Sequence, residues 1–196
     1  MSTSKHAYHH GDLRGALLAH GLRLIEARDA DTLSLREVAR AAGVSATAVY
    51  RHFPDKRALM AALADEGLAR LYEAQAGAAA AAAPGNAFEA TGRAYVHFAL
   101  AQPALFRLTF AYPDVFADPA GDAAARLLHQ NALALTGGDE DEAKLVAVRA
   151  WSVAHGLAML MLDGRLPPDA ELIDATISAK GLFPNASQGS NSEASP

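Results

Sequence analysis

The segment Leu35–Lys56, LREVARAAGVSATAVYRHFPDK, constrains the fold more than any other stretch of the chain. It spells two short helices joined by a tight turn at Gly43, followed by a third helix that restarts after Pro54. Leu35, Val38, Ala39, Ala42, Val44, Val49 and Phe53 can turn inward together, which leaves Ala46, Thr47, Tyr50 and Arg51 on the opposite side of the second short helix. A helix with small and hydrogen-bonding residues at its exposed N-terminal end, carried by a supporting helix, has the geometry that enters a DNA major groove. The pattern is a helix-turn-helix.

Local signals set its limits. Ser34-Leu35-Arg36-Glu37 fits a capping box, in which the serine oxygen takes an orphan amide and the glutamate reaches back. Gly43 supplies the left-handed backbone of the turn, and Ser45 caps the next helix. Phe53 precedes proline and so avoids the helical region. Upstream, Asp12 caps a first helix reaching about Arg28, with Leu13, Leu17, Leu24 and Ile25 at helical spacing. Downstream, Asp55 opens a longer helix with Met60, Leu63, Gly67 and Leu71 on one stripe, and the alanine-rich run 74–83 continues it.

Pro84-Gly85 is the clearest break, and helices are expected at about 86–101, 103–111, 119–136, 140–162 and 168–181. No period-2 alternation of strand length occurs, so the fold class is all-α with about nine helices. The expected division is a helix-turn-helix domain with an N-terminal arm over 1–56, a helical body over 57–183, and a tail over 184–196 with the composition of a disordered end.

Charge separates along the same line. Residues 1–60 hold nine Lys/Arg against six Asp/Glu, whereas residues 61–196 hold eight against sixteen. A basic head and an acidic body suit a protein that meets a polyanion with one end. Cysteine is absent, which excludes disulfides and thiolate metal sites. His6, His9 and His10 with Lys5 read as a polar arm lying along DNA rather than as a metal site, and no cofactor is expected. The N-terminus has no apolar core of a secretory signal, and Arg149 and His155 interrupt the longest apolar stretch, Leu145–Leu162. That stretch reads as a buried helix, so the expectation is a cytoplasmic protein without a membrane partner.

Tyr8 to about Leu71 resembles the DNA-binding domain of the TetR/AcrR family of bacterial transcriptional regulators, on AGVSATAVYRHFPDK, the preceding SLREVARA and YHHGDLR. AWSVAHGLAMLMLDGRL further resembles the C-terminal ligand-binding region of a subgroup named for a Trp-His-Gly signature, here Trp151, His155 and Gly156. The resemblance implies that Ser34 and Arg36 meet the DNA backbone or a base edge at the lip of the groove. It also implies a homodimer, in which the 140–162 and 168–181 helices pair with their mates as a four-helix bundle.

Residue chemistry fills in the rest. Ser45 and the amides behind it can hold a phosphate, Tyr50 and His52 can donate to phosphates, and Lys56 adds a point charge. Packing is the competing role for Tyr50 and His52. Sequence readout falls to Arg36, Ala46, Thr47 and Arg51: arginine can bond guanine twice, while Ala46 and the Thr47 methyl suit a thymine methyl. Ala46-Thr47 replaces the Lys-Gly pair commoner in the family, so relatives' operators do not transfer.

In the body, His97, Phe98, Phe106, Phe110, Trp151, His155 and Met159 are candidates for an apolar ligand cavity, although core packing accounts for the same aromatics. Gly156 is expected to permit a close helix approach. No Ser/His/Asp set, HExxH, P-loop or GxGxxG occurs, so catalysis is not expected. The reading is a ligand-responsive repressor that binds a palindromic operator and is released by a small molecule. Its rival is an all-α ligand-carrier or interaction protein that has lost DNA binding.

Overall fold

The structure, a computed structural model, describes residues 12–27, 32–112 and 123–178. Among them the chain forms nine helices and no strand: α1 (Leu13–Ala27), α2 (Leu35–Ala42), α3 (Ala46–His52), α4 (Lys56–Ala81), α5 (Ala87–Ala101), α6 (Pro103–Ala111), α7 (Ala123–Leu135), α8 (Glu140–Leu162) and α9 (Ala170–Ile177). The N-terminal arm with Lys5, His6, His9 and His10 lies outside the described residues, as do Arg28, 119–122, 179–183 and the tail 184–196. α9 starts two residues later than expected, because Asp169, not Pro167 or Pro168, caps it by accepting from the Leu172 amide at 2.7 Å.

The short head helices owe their ends to side chains. Ser34 Oγ accepts from the Glu37 amide at 3.3 Å, and Glu37 Oε2 accepts from the Ser34 amide at 3.0 Å. That reciprocal box satisfies two orphan donors of α2. At the other end Gly43 has φ 69°, and its amide and that of Val44 bond the Arg40 and Ala39 carbonyls. This Schellman arrangement is what the turn demands of a glycine. Ser45 caps α3 through the Ala48 amide, and Asp55 caps α4 through the Ala58 amide.

α4 joins the two halves of the molecule. Its first turns carry Leu59, Met60 and Leu63 into the core formed by Leu17, Leu22, Ile25, Val38, Val49 and Phe53. Further along, Leu71 meets the body, where Tyr95, Val96, Phe98, Leu105 and Phe106 are buried in the same continuous cluster. The expected division at 56/57 thus falls at the start of α4, and Pro84-Gly85 falls in the turn between α4 and α5. At Gly67 a Cβ would overlap Thr109 Oγ1 and stand 3.1 Å from Leu105 Cδ1, so glycine permits α4 to lie close on α6.

α8 has two faces. Ala143, Val146, Ala150, Ala154, Leu157, Ala158 and Met161 are buried, against α5, α7 and α9. Leu145, Val148, Trp151 and Leu160 are large apolar residues left exposed. By length and composition α8 could cross a membrane, but Arg149 interrupts its apolar surface and its inner face is occupied by protein.

Candidate nucleic-acid interface and body cavity

The helix-turn-helix presents one polar surface. Val49, fully buried, and Phe53 anchor α3 to the head core. The Arg14 guanidinium lies 5.4 Å from the centre of the Phe53 ring, fastening α1 to the end of α3. With that side fixed inward, Thr47, Tyr50, Arg51 and His52 emerge on the solvent side, with Ala46 half-buried beside them. Tyr50 is 46% exposed, so packing does not account for its ring. Ser45, Lys56 and Arg36 are exposed on the same motif, and Ser34 is half-buried because its side chain is engaged in the capping box. All nine residues expected to meet DNA therefore lie on or beside a single helix-turn-helix.

The body contains a cavity of about 310 Å³ between α4, α5, α7 and α8. Leu68, Leu71 and Gln75 of α4 form one wall, and Phe88, Thr91, Gly92 and Tyr95 of α5 another. α7 contributes Ala124, Ala125 and Leu128, and α8 contributes Ala147, Val148, Ala150, Trp151 and Ala154. Phe110 of α6 and Ile177 of α9 complete the lining. The lining is apolar with a few polar groups, and no charged side chain belongs to it among the described residues. This is the ordinary make-up of a small-molecule site.

An aromatic and imidazole cluster stands behind that wall. Trp151 Nε1 donates to the Tyr95 hydroxyl at 3.3 Å, and the hydroxyl lies 2.8 Å from His155 Nδ1. If Tyr95 accepts from tryptophan and donates onward, His155 is the neutral tautomer protonated at Nε2. Burial lowers the His155 pKa below 6.5, which favours the same neutral form. Phe106 and Phe110 pack on this imidazole at ring-centre distances of 5.6 and 4.9 Å.

Of the residues expected to line a cavity, the structure brings Phe110 and Trp151 to it. Phe98 and Phe106 are core side chains, Met159 packs against that core, and His155 does not line the cavity but stands behind Tyr95, Phe110 and Trp151, which do. His97 is exposed: α5 turns Phe88, Thr91, Gly92 and Tyr95 toward the cavity, and position 97 falls on the other side of that helix. At Gly156 a Cβ would meet nothing within 4 Å among the described residues, so no close approach among them requires glycine there. Sequence reasoning passed over Tyr95, Thr91 and Gln75. Their signal was present: 88, 91, 92 and 95 follow helical spacing, and Gln75 continues the 68, 71 stripe as its one polar member.

Two family models match the chain. Residues 17–63 match a model described as "Bacterial regulatory proteins, tetR family", and residues 88–179 match "Tetracyclin repressor-like, C-terminal domain". A protein of unknown function from Rhodococcus sp. RHA1 is 34% identical, with 90% of this chain and 95% of that one aligned and a TM-score of 0.73. A TetR-like transcriptional regulator from the same organism is 18% identical over 86% and 94% of the two chains, with a TM-score of 0.61. A TetR family transcription regulator from Marinobacter aquaeolei VT8 is 18% identical over 84% and 91%, with a TM-score of 0.59, and like the preceding one it bears on the fold alone. No curated protein matches the chain. With both halves matched in order around the helix-turn-helix and the helical body, the chain belongs to the TetR family of transcriptional regulators, which are transcription factors rather than enzymes.

Proposed function

We propose that this regulator is a cytoplasmic homodimeric repressor that binds a palindromic operator through α3 and is released when a small molecule enters the body cavity. The observation that carries the reading is the path of α4. One uninterrupted helix begins at Lys56 beside the DNA-facing surface and later lines the cavity with Leu68, Leu71 and Gln75. At about 1.5 Å per residue, a shift of its cavity end is transmitted some 29 Å to its start. Two heads must match half-sites about one DNA turn apart, so a small change in the tilt of α4 alters their spacing. An effector shifts this equilibrium only if it binds the two arrangements with different affinity.

In the proposed docking, Ser34, Ser45, Tyr50, His52 and Lys56 hold phosphates, while Arg36, Ala46, Thr47 and Arg51 face the bases. The dimer is proposed to form on the outer stripe of α8 together with α9. Leu145, Arg149, Ser152, Gly156 and Leu160 share one side of α8, and the open space at Gly156 suits the approach of a second backbone.

The test is binding to DNA selected from a random pool, read by fluorescence anisotropy. Affinity should fall steeply with salt, by a slope of about 0.9 per neutralised phosphate. Tyr50→Phe and Lys56→Gln should weaken all sequences alike, whereas Thr47→Ala and Arg51→Gln should alter base preference. If these four changes leave binding untouched, the docking is wrong and the carrier reading gains.

A further inference from the structure

The polar groups of the body cavity are unevenly engaged. Thr91 Oγ1 donates to the Phe88 carbonyl at 2.7 Å, and Trp151 Nε1 and the Tyr95 hydroxyl are taken by the bonds that run to His155. Gln75, only 7% exposed, donates its Nε2 to the Thr91 carbonyl at 3.3 Å, yet its Oε1 is buried without a hydrogen-bond partner. Reversing the amide would set oxygen against the Thr91 carbonyl oxygen, so the Thr91 carbonyl fixes which end of Gln75 is left over. Gln75 lines the cavity, and since a buried acceptor without a donor is unfavourable, a molecule whose entry uncovers Oε1 and brings a donor removes that cost.

We propose that the cavity selects an uncharged, largely apolar molecule that donates one hydrogen bond, from a hydroxyl or N–H, to Gln75 Oε1. The inference rests on the reading of this cavity as the effector site and names the chemistry of the effector. Size follows from volume: an apolar cavity of about 150 Å³ accepts benzene, so roughly a dozen non-hydrogen atoms fit the 310 Å³ here. Absence of charge follows from the lining. Among the described lining residues no Lys, Arg or His can neutralise a carboxylate or phosphate, and no Asp or Glu can neutralise an ammonium group. Burying an isolated ion in such surroundings is strongly unfavourable.

Three probes of one shape separate these terms: 2-naphthol, 2-methylnaphthalene and 2-naphthoate. Each is titrated by calorimetry into the full chain and into the Gln75→Met variant, which keeps length while removing the acceptor. The ratio of the methylnaphthalene Kd to the naphthol Kd should drop roughly three- to tenfold on going from wild type to Gln75→Met. Naphthoate should bind at least about tenfold more weakly than naphthol to the wild-type chain, a comparison that needs no variant. An unchanged ratio in a variant with wild-type circular dichroism overturns the proposal, because Oε1 is then served by water. Naphthoate binding as tightly as naphthol overturns it too, as does a failure of all three probes to bind. Operator affinity in the same samples separates the two readings. Gln75-dependent selection of naphthol with no change in DNA affinity supports the ligand class and overturns the role of the cavity in DNA release.

Discussion

Replacing glycine by alanine should stabilise the chain at one position of α4 and fail to do so at another. Both Gly67 and Gly77 lie inside this helix, where alanine alone is worth about 1 kcal/mol over glycine. At Gly77 a new Cβ meets nothing within 4 Å, so Gly77→Ala should keep that gain. At Gly67 the Cβ overlaps Thr109 Oγ1, stands 3.1 Å from Leu105 Cδ1 and 3.3 Å from Thr109 Cβ, and all of these are buried. Thr109 cannot simply turn away, since its hydroxyl donates to the Leu105 carbonyl at 2.9 Å and branched side chains have few helical rotamers. Overpacking of this kind costs about 1–3 kcal/mol. For a chain of this size each kcal/mol moves Tm by about 2–4 °C, so Gly67→Ala should melt roughly 2–12 °C below Gly77→Ala. Thermal unfolding followed by circular dichroism reads the difference. Adding Thr109→Ala to Gly67→Ala should recover part of the loss as a favourable coupling between the two sites. Equal rises in Tm for the two glycine variants would refute the close α4–α6 contact at Gly67.

Three further outcomes are expected. Asp55→Ala should cost about 1 kcal/mol, because it removes the 2.8 Å cap of the Ala58 amide at the start of α4, and chemical denaturation will measure it. The lowered His155 pKa means that the unfolded chain binds the proton more readily. Its contribution to stability is therefore present above about pH 6.5 and is lost as pH falls below it. The fall in Tm between pH 7.5 and 5.5 should accordingly be shallower in His155→Gln, and identical slopes would contradict the assignment of a neutral imidazole beside Tyr95. Leu145→Asp combined with Leu160→Asp should leave the helical circular dichroism intact and yield monomers in analytical ultracentrifugation; a persistent dimer would place the interface elsewhere.

Much of the fold was legible because its signals are local. A capping serine bonds an amide three residues away, a left-handed glycine closes a turn with carbonyls of the preceding helix, and proline acts on the residue before it. Each signal operates within one turn, so the limits of α2 and α3, and the spans 103–111 and 140–162 of α6 and α8, could be read from residue order. The polar surface of α3 was legible for the same reason. Once Val49 and Phe53 are assigned inward, helical spacing alone puts Thr47, Tyr50 and Arg51 outward.

The cavity was less legible, because its lining is assembled from six helices remote in sequence. Aromatic content pointed to Phe98 and Phe106, yet an aromatic side chain fills a core as readily as it lines a void, and packing geometry chooses between the two. His97 was singled out for its chemistry although the rotation of α5 carries it to solvent, while Tyr95 two residues earlier holds both Trp151 and His155. Gln75 lies in the alanine-rich run 74–83, and only the packing of α5 against α4 gives its amide a carbonyl on one side. By itself, then, the sequence determined the helices, their order and the surface offered to DNA, since these depend on contacts within a few residues. Only the tertiary structure decided which side chains line the cavity and that Gln75 Oε1 is left without a donor, since both depend on how distant helices are rotated against one another.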